Sequence, residues 1–383
     1  MPFAAARGRL KIDMPTPAAA PPYRIAIVGA GGVGGFFGAR LAALPNVDVQ
    51  FLVRAGLHCD ALARDGLHVE ADVVSSFHVP VTVRTAAEDI GPCDMVLVCV
   101  KAYSLQAVAH TLKPLLRSNP PTAVVPLLNG VGAPPVLAAA LGDEYVMGGL
   151  CKVMAWMTAP GRIKQLGPVC DITFGELDGS CSNRAEQLSA VLTEAAITHN
   201  IPSAEEGGVH TAIWAKFAAI CAFSGSGAVT RATWGEIVAS PRTLSLHRQL
   251  LREGYEVATA HGAKGLDDAK LESMMKWMVT LPAAGTASLQ RDLVAGRRSE
   301  LHAQLGAMVD HADAKGISTP TTALVYAALV PQETAAAARA LSPPSDAADG
   351  IELVSRVVLV GVAAAVFGAV GGALIASLIA RRR

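Results

Sequence analysis

Metal-binding and disulfide patterns are absent from this sequence, and so is an excess of charge of one sign. The chain has 383 residues, with 32 Lys+Arg against 32 Asp+Glu, so the basic surface that binds nucleic-acid phosphates is not predicted. The seven cysteines are scattered and contain no Cys-x-x-Cys pair, which favours a reducing compartment over a disulfide framework or a zinc site. The histidines show no ligand spacing either, and we predict no metal.

The length exceeds what one hydrophobic core usually holds, so two or three structural units are expected. Residues 1–22 are rich in Ala and Pro, lack periodicity and are predicted to be a disordered tail. Residues 23–203 alternate short apolar runs with helical patterns, and residues 204–330 carry long helical patterns alone. Residues 331–352 are rich in Ala, Pro, Ser and Asp, which is typical of a linker.

A long apolar run near the carboxyl end predicts a single transmembrane helix at 353–380. Its last 24 residues, 357–380, carry no charge, and a helix of this length spans roughly 36 Å against a hydrocarbon core of about 30 Å. A buried core helix is the alternative, but it normally keeps a polar face. Gly368 and Gly372 have the spacing of a helix-pairing motif, which is compatible with a homodimer and also arises by chance.

The first apolar run leads into a glycine-rich turn and then a helical pattern. In such a strand-turn-helix, Gly29 suits the tight turn, Gly31 lets the backbone approach a diphosphate, and Gly34 lets the helix pack closely on the strand. The N–H groups at the helix start, at Gly32 and Val33, then face the phosphates. The alternative is a glycine-rich loop without a ligand. Further strand-like runs at 47–53, 95–100 and 123–128 predict an α/β fold, a Rossmann-type doubly wound parallel sheet.

The residue at the end of the second apolar run indicates which dinucleotide binds. Enzymes that use NAD carry an acidic residue about twenty positions after the glycine loop, where it holds the ribose 2′-hydroxyl. This chain has Arg54 there, and a guanidinium suits a 2′-phosphate. The sequence therefore predicts NADPH, unless Arg54 is simply a solvated loop cation.

Five further segments follow in an order that resembles one family. They are Cys99-Val100-Lys101-Ala102-Tyr103, Leu128-Asn129-Gly130-Val131-Gly132, Trp214-Ala215-Lys216-Phe217, Ser288-Leu289-Gln290-Arg291-Asp292 and Arg297-Arg298-Ser299-Glu300. Together with the glycine loop they resemble the ketopantoate reductase family from about residue 23 to residue 330. The resemblance implies an NADPH-dependent reductase that converts 2-dehydropantoate to pantoate.

The resemblance also implies a role for each matching residue. Lys101 would contact the cofactor near its adenine and 2′-phosphate, and Asn129 would lie beside the nicotinamide and the substrate. Lys216 would be the general acid. Ser288 and Glu300 would hold the substrate.

The residue types fit this chemistry when they are considered by themselves. A hydride that reaches a keto carbon builds negative charge on its oxygen, so a cation with a transferable proton must stand close to it. Lys216 meets that need, and Glu300 can orient its ammonium group. Taken singly, a lysine and a glutamate on helical segments are more often surface charges, and an Asn-Gly pair is an ordinary turn.

Two positions depart from the family pattern. The family commonly has asparagines one and two turns after the catalytic lysine, where this chain has Ile220 and Ser224, and Ser224 stays a candidate substrate-binding residue. Loss of an amide removes partners for a substrate hydroxyl. A different branched 2-oxo acid is therefore an alternative substrate. A membrane-tethered NADPH sensor or scaffold without turnover is the alternative function. In either case the domain that binds NADPH, the reductase domain, is expected to face the cytosol or another reducing compartment.

Overall fold

The computed structural model describes residues 21–341. The tail predicted at 1–22 lies outside this range except for its last two residues. The predicted membrane helix at 353–380, with Gly368 and Gly372, lies outside the described residues, as does the later part of the predicted linker.

The described residues form ten strands, twelve α-helices and three short helical turns. The strands are β1 (Tyr23–Val28), β2 (Val47–Leu52), β3 (Leu67–Glu70), β4 (Phe77–Val79), β5 (Thr82–Arg84), β6 (Met95–Val98), β7 (Ala123–Pro126), β8 (Gly148–Ala159), β9 (Arg162–Gly175) and β10 (Thr198–Asn200). The helices are α1 (Gly32–Ala42), α2 (Leu57–Asp65), α3 (Ala102–Ala109), α4 (Ala133–Leu141), α5 (Asn183–Glu194), α6 (Gly208–Thr230), α7 (Trp234–Ala239), α8 (Pro241–Ala260), α9 (Asp268–Met278), α10 (Ser288–Val294), α11 (Ala307–Asp313) and α12 (Pro320–Leu341). Two 3₁₀ turns (His110–Leu115 and Asp143–Tyr145) and a π-helical turn (His302–Gly306) complete them.

The first domain is built on a five-stranded parallel sheet in the order β5-β2-β1-β6-β7. Alternate residues of the central strand enter different cores. Ile25 and Ile27 pack on the face that carries α1, whereas Ala26 and Val28 pack on the face covered by α3 and α4. The parallel strand order confirms the predicted Rossmann-type sheet. The prediction succeeded because strands buried on both faces of a parallel sheet appear in the sequence as continuous apolar runs.

Helix α1 lies between this sheet and a second one, which explains its glycines. A Cβ at Gly35 would lie 2.8 Å from the side chain of Ile163 in β9, and a Cβ at Gly38 would lie 2.6 Å from the ring of Phe51 in β2. Small residues therefore let one helix approach both sheets closely.

The second sheet was not predicted from the sequence. It has the order β10-β9-β3-β4, and the long strand β8 pairs antiparallel with β9. Much of this hairpin is only half-buried, and its residues alternate irregularly between polar and apolar. β9 has no continuous apolar run like those of the buried parallel strands, and the apolar run at 153–157 in β8 is only partly buried.

The second domain is helical throughout its described residues, as predicted. Its central helix is α6, which packs against α8, α10 and α12. With 23 residues, α6 is by length and composition able to cross a membrane. Most of its residues are instead buried by the neighbouring helices.

The predicted linker begins too early, because α12 continues through Pro331 to Leu341. Tertiary contacts hold this part of the helix in place. Glu333 is buried and accepts hydrogen bonds from the backbone N–H and the hydroxyl of Ser299, and Ala336 is also buried. A composition rich in alanine thus marks a packed helix here, not a linker.

Candidate active site

A deep cleft of about 1420 Å³ separates the two domains. Its first wall is formed by the ends of β1, β2, β6 and β7 together with part of the β8–β9 hairpin, and its second wall by α6, α9 and the start of α10. The strand order reverses direction between β1 and β6. The carboxyl ends of parallel strands at such a switch point are where α/β proteins bind ligands.

The glycine loop after β1 opens into this cleft. Gly29 has φ +94, a conformation that side chains disfavour, and so turns the chain towards α1. A Cβ at Gly34 would lie 2.0 Å from the carbonyl oxygen of Gly29, which explains the last glycine of the motif. No side chain caps α1 at Gly31, and nothing lies within 4 Å of a Cβ placed there. The first N–H groups of the helix, at Gly32 and Val33, are therefore available to a diphosphate.

A histidine that the sequence did not reveal supports the loop. His58, in α2, donates from Nε2 to the carbonyl oxygen of Ala30 (2.9 Å), while its Nδ1 accepts from the N–H of Gly161 (3.0 Å). This side chain joins the glycine loop to the β8–β9 hairpin. Its sequence signal is slight, because a histidine in a short helix has no recognisable spacing to the glycines.

Arg54 follows β2 and lies exposed at the same cleft. No ion pair joins it to a carboxylate in the described part of the chain. An exposed, unpaired guanidinium beyond the glycine loop fits the 2′-phosphate of NADPH. The open helix start and this arginine together fit the predicted cofactor.

The predicted catalytic residues meet across the cleft, where Lys216 of α6 reaches Asn129 in the loop that follows β7. The Nζ of Lys216, on α6, donates to Oδ1 of Asn129 (3.0 Å), and Nδ2 of Asn129 donates to Oε2 of Glu300 (3.3 Å). Gly130, with φ +99, makes the turn after Asn129 at a point where a Cβ would lie 3.0 Å from the backbone oxygen of Ala303. Glu300 is therefore hydrogen-bonded to Lys216 through the amide of Asn129 and not directly.

Burial governs the ionisation of this group. Removal of Lys216 from water lowers its pKa below the usual 10.5, although the negative charge of Glu300 opposes this effect. A lysine with a lowered pKa gives up its proton more readily, which suits a general acid. Cys151 lies close enough to feel the ammonium charge, but burial raises the pKa of its thiol.

Glu300 is 5% exposed, yet its charge is well compensated. The N–H of Ala102, at the start of α3, donates to its Oε1 (3.0 Å), and Nζ of Lys101 lies 3.7 Å from its Oε2. Lys101 also pairs with Asp292 (3.1 Å), which in turn binds Arg297. Burial alone would lower the pKa of Lys101, but the negative charges of Glu300 and Asp292 outweigh this effect and raise it.

These ion pairs place Lys101 between the domains, and its predicted contact with the cofactor stays a prediction. Asp292 was not singled out from the sequence. It lies one helical turn after Ser288 on the same face of α10. This i, i+4 spacing in the sequence could have marked Asp292 as a candidate site residue.

The remaining substrate candidates differ in position. Ser288 is the first residue of α10 and lines the cleft. Arg291 also lines the cleft, and its guanidinium donates to the backbone oxygen of Thr286. Ile220 lines the cleft as well. Ser224 does not, because its side chain is fully buried within the helical domain and its hydroxyl makes no hydrogen bond among the described residues. The prediction that Ser224 binds substrate is therefore corrected.

A dinucleotide loop and a linked lysine, amide and carboxylate in one cleft between two domains define a two-domain nicotinamide-dependent oxidoreductase. Two family models, one for each domain, identify its family. Residues 25–179 match "Ketopantoate reductase PanE/ApbA" and residues 209–333 match "Ketopantoate reductase PanE/ApbA C terminal". The chain belongs to the ketopantoate reductase family, whose members are NADP-dependent oxidoreductases acting on CH–OH groups.

Individual relatives agree with this assignment. The chain is 30% identical to a 2-dehydropantoate 2-reductase of Archaeoglobus fulgidus, over 77% of this chain and 92% of that protein. It is 29% identical to the uncharacterized oxidoreductase YkpB of Bacillus subtilis, over 79% and 96%. The crystal structure of 2-dehydropantoate 2-reductase from Geobacter metallireducens superposes with a TM-score of 0.73 at 27% identity and covers 80% of this chain and 99% of that one.

Proposed function

We propose that this protein reduces a 2-oxo acid to the 2-hydroxy acid, with NADPH as the hydride donor and Lys216 as the proton donor. The observation that carries the proposal is the hydrogen bond from Lys216 to Asn129 in the cleft that the glycine loop also lines. One cleft therefore offers a dinucleotide site and a proton donor.

Each residue has a separate task in the proposed reaction. NADPH supplies a hydride to the keto carbon when it is bound. Lys216 transfers a proton from Nζ to the oxygen on which negative charge develops, which yields a hydroxyl group. Asn129 and Glu300 keep the ammonium group in place, and Ser288 donates a hydrogen bond to the substrate carboxylate. The lysine is reprotonated from solvent after the product leaves.

The family relatives named for 2-dehydropantoate make that compound the first to be tested. The purified full chain would be mixed with NADPH and individual 2-oxo acids, and the loss of NADPH absorbance would be followed together with formation of the 2-hydroxy acid. We expect stoichiometric oxidation of NADPH and appearance of the hydroxy acid. Binding of NADPH without turnover of any 2-oxo acid would contradict the proposal and would favour a sensor or scaffold.

We also propose that residues 353–380 attach the enzyme to a membrane, with the reductase domain in the cytosol or another reducing compartment. The support is the uncharged run at 357–380 between Arg356 and Arg381. Extraction of membranes with alkaline carbonate tests this. The full chain is expected to stay in the pellet and residues 1–350 in the supernatant, whereas release of the full chain would contradict the anchor.

A further inference from the structure

We infer that the substrate carries a bulky apolar group next to its keto carbon, because the cleft beyond Lys216 is an apolar chamber. This inference rests on the proposed reduction of a 2-oxo acid and names the substrate class. It favours branched-alkyl and aryl 2-oxo acids over acids with a hydroxylated side chain, including 2-dehydropantoate.

One stripe of α6 forms the first wall of the chamber. The residues of this helix that line the cleft recur at helical spacing, and they are Ala212, Ala215, Lys216, Ala219, Ile220 and Phe223. The two turns after Lys216 therefore present only methyl, branched-alkyl and phenyl groups to a ligand. Ile220 stands one turn after Lys216, at the position where the resemblance to the family led us to expect an amide.

A matching stripe of α9 forms the second wall. Met274, Trp277 and Met278 line the cleft at i, i+3 and i+4 spacing, and Leu281 continues the wall beyond the helix. Lys270, one turn before Met274, also lines the cleft and is the charged member of this wall. Trp277 is 44% exposed although it is among the largest side chains of the protein. Such exposed apolar surface at a cleft is typical of a ligand-binding wall.

The chamber walls are held by packing behind them. The Phe223 ring lies 5.2 Å from the ring of Trp234, and Trp234 donates from Nε1 to the backbone oxygen of Met278. The Met278 sulfur lies 3.3 Å from Nε2 of the fully buried His247. The apolar surface is therefore preformed and does not need to collapse around a ligand.

Ser224 offers no polar replacement at this wall. Its side chain is fully buried and absent from the cleft, whereas the neighbouring Phe223 faces the cleft. A substrate hydroxyl in the chamber would lose water without gaining a partner from the α6 wall, which disfavours its binding. An apolar group of similar size would instead be stabilised by burial.

Two acids of the same carbon skeleton test this preference. 3,3-Dimethyl-2-oxobutanoate differs from 2-dehydropantoate only in lacking the hydroxyl group. We expect kcat/KM for 3,3-dimethyl-2-oxobutanoate to exceed that for 2-dehydropantoate by about 10- to 100-fold. Equal or better use of 2-dehydropantoate would overturn the inference while leaving 2-oxo acid reduction intact.

A pair of variants at one position sharpens the test. Ile220→Asn introduces an amide into the α6 wall and is expected to reduce the preference for the deoxy acid at least tenfold. Ile220→Leu is the matched control and should keep the preference. The inference is overturned if both variants discriminate as the unmodified protein does.

Binding measurements separate a failed inference from a failed function. If the protein turns over no 2-oxo acid, titration calorimetry of the NADPH complex with the same two acids still reports which one binds. Tighter binding of 3,3-dimethyl-2-oxobutanoate would then support the apolar chamber although the reductase proposal had failed. Tighter binding of 2-dehydropantoate would refute the chamber as a specificity site.

Discussion

The two sides of the cleft are built in different ways. The cofactor side consists of strand ends, a helix start and backbone N–H groups around Gly29 and Gly31. The substrate side consists of side-chain stripes on α6 and α9. Backbone geometry constrains the cofactor side to one ligand class. A single substitution, such as an isoleucine at position 220, can change which substrate the other side binds.

The same difference appears in how charge is handled. On the cofactor side Arg54 is exposed and has no described carboxylate partner. On the substrate side Lys216 and Glu300 are linked through Asn129. An exposed cation recognises a diffusing phosphate, whereas a positioned and desolvated one controls a proton.

Removal of the proton donor should show the largest difference between the two sides, because it affects kcat and not NADPH binding. Lys216→Ala is expected to lower kcat by ~100-fold or more, because the developing oxyanion loses its acid, while NADPH affinity changes little. Steady-state kinetics and NADPH titration measure the two effects. Lys276→Ala, an exposed lysine of α9 away from the cleft, is the matched control. An unchanged kcat in Lys216→Ala would remove this lysine from the mechanism.

The packing behind the apolar chamber should make the helical domain sensitive to acid. Burial lowers the pKa of His247 from 6.5 to about 4. The neutral imidazole therefore stabilises the fold above pH 6.5, and this stability is lost as the pH falls from 6.5 towards 4. The loss corresponds to about 3 kcal/mol.

Denaturant unfolding followed by tryptophan fluorescence at pH 7 and pH 4 measures this loss. His247→Asn should show a smaller difference between the two pH values than the unmodified protein. The exposed His110 provides the control, since His110→Asn should keep the full difference. The same acid loss in both variants would mean that other groups cause it.

On the cofactor side, the phosphate contact should affect NADPH alone. Arg54→Ala is expected to weaken NADPH binding by about 10- to 100-fold and to leave NADH binding nearly unchanged, because only NADPH has a 2′-phosphate. Fluorescence titration with both cofactors measures this difference. Arg64→Ala, in α2 and paired with Asp65, is the control. Equal losses for both cofactors in Arg54→Ala would show that it does not recognise the phosphate.

The smallest effect is expected in the pH profile. Burial lowers the pKa of Lys216, and the Glu300 carboxylate opposes that shift. Reduction needs the protonated lysine, so kcat/KM should fall as the pH rises through a pKa below 10.5. Glu300→Gln removes the opposing charge and should move this fall to lower pH. A fall that stays in place would mean that the carboxylate does not act on the lysine.

The cofactor side was the easier one to predict. Its motif is local, since a strand, three glycines and a helix start within one short segment specify the site. His58 escaped prediction because its partners, Ala30 and Gly161, are distant in the sequence. The β8–β9 hairpin escaped prediction because β9 mixes polar and apolar residues, and because the apolar run at 153–157 in β8 was not recognised as a strand.

On the substrate side the family resemblance gave Lys216, Asn129 and Glu300, but it could not give the direction of each side chain. Helical geometry explains the wrong prediction for Ser224. At about 100° per residue, a residue seven positions after Lys216 lies about 20° from it around the helix, and one eight positions after lies about 80° away. Phe223 therefore faces the cleft and Ser224 is buried.

The central claim is that a hydride crosses from the cofactor side to a keto carbon held beside Lys216. NADPH carrying deuterium at both C4 positions tests it when mixed with the full chain and 3,3-dimethyl-2-oxobutanoate, followed by mass spectrometry of the product. The account predicts a 2-hydroxy acid with one deuterium at C2. A hydroxy acid without deuterium, or no hydroxy acid at all, would contradict it.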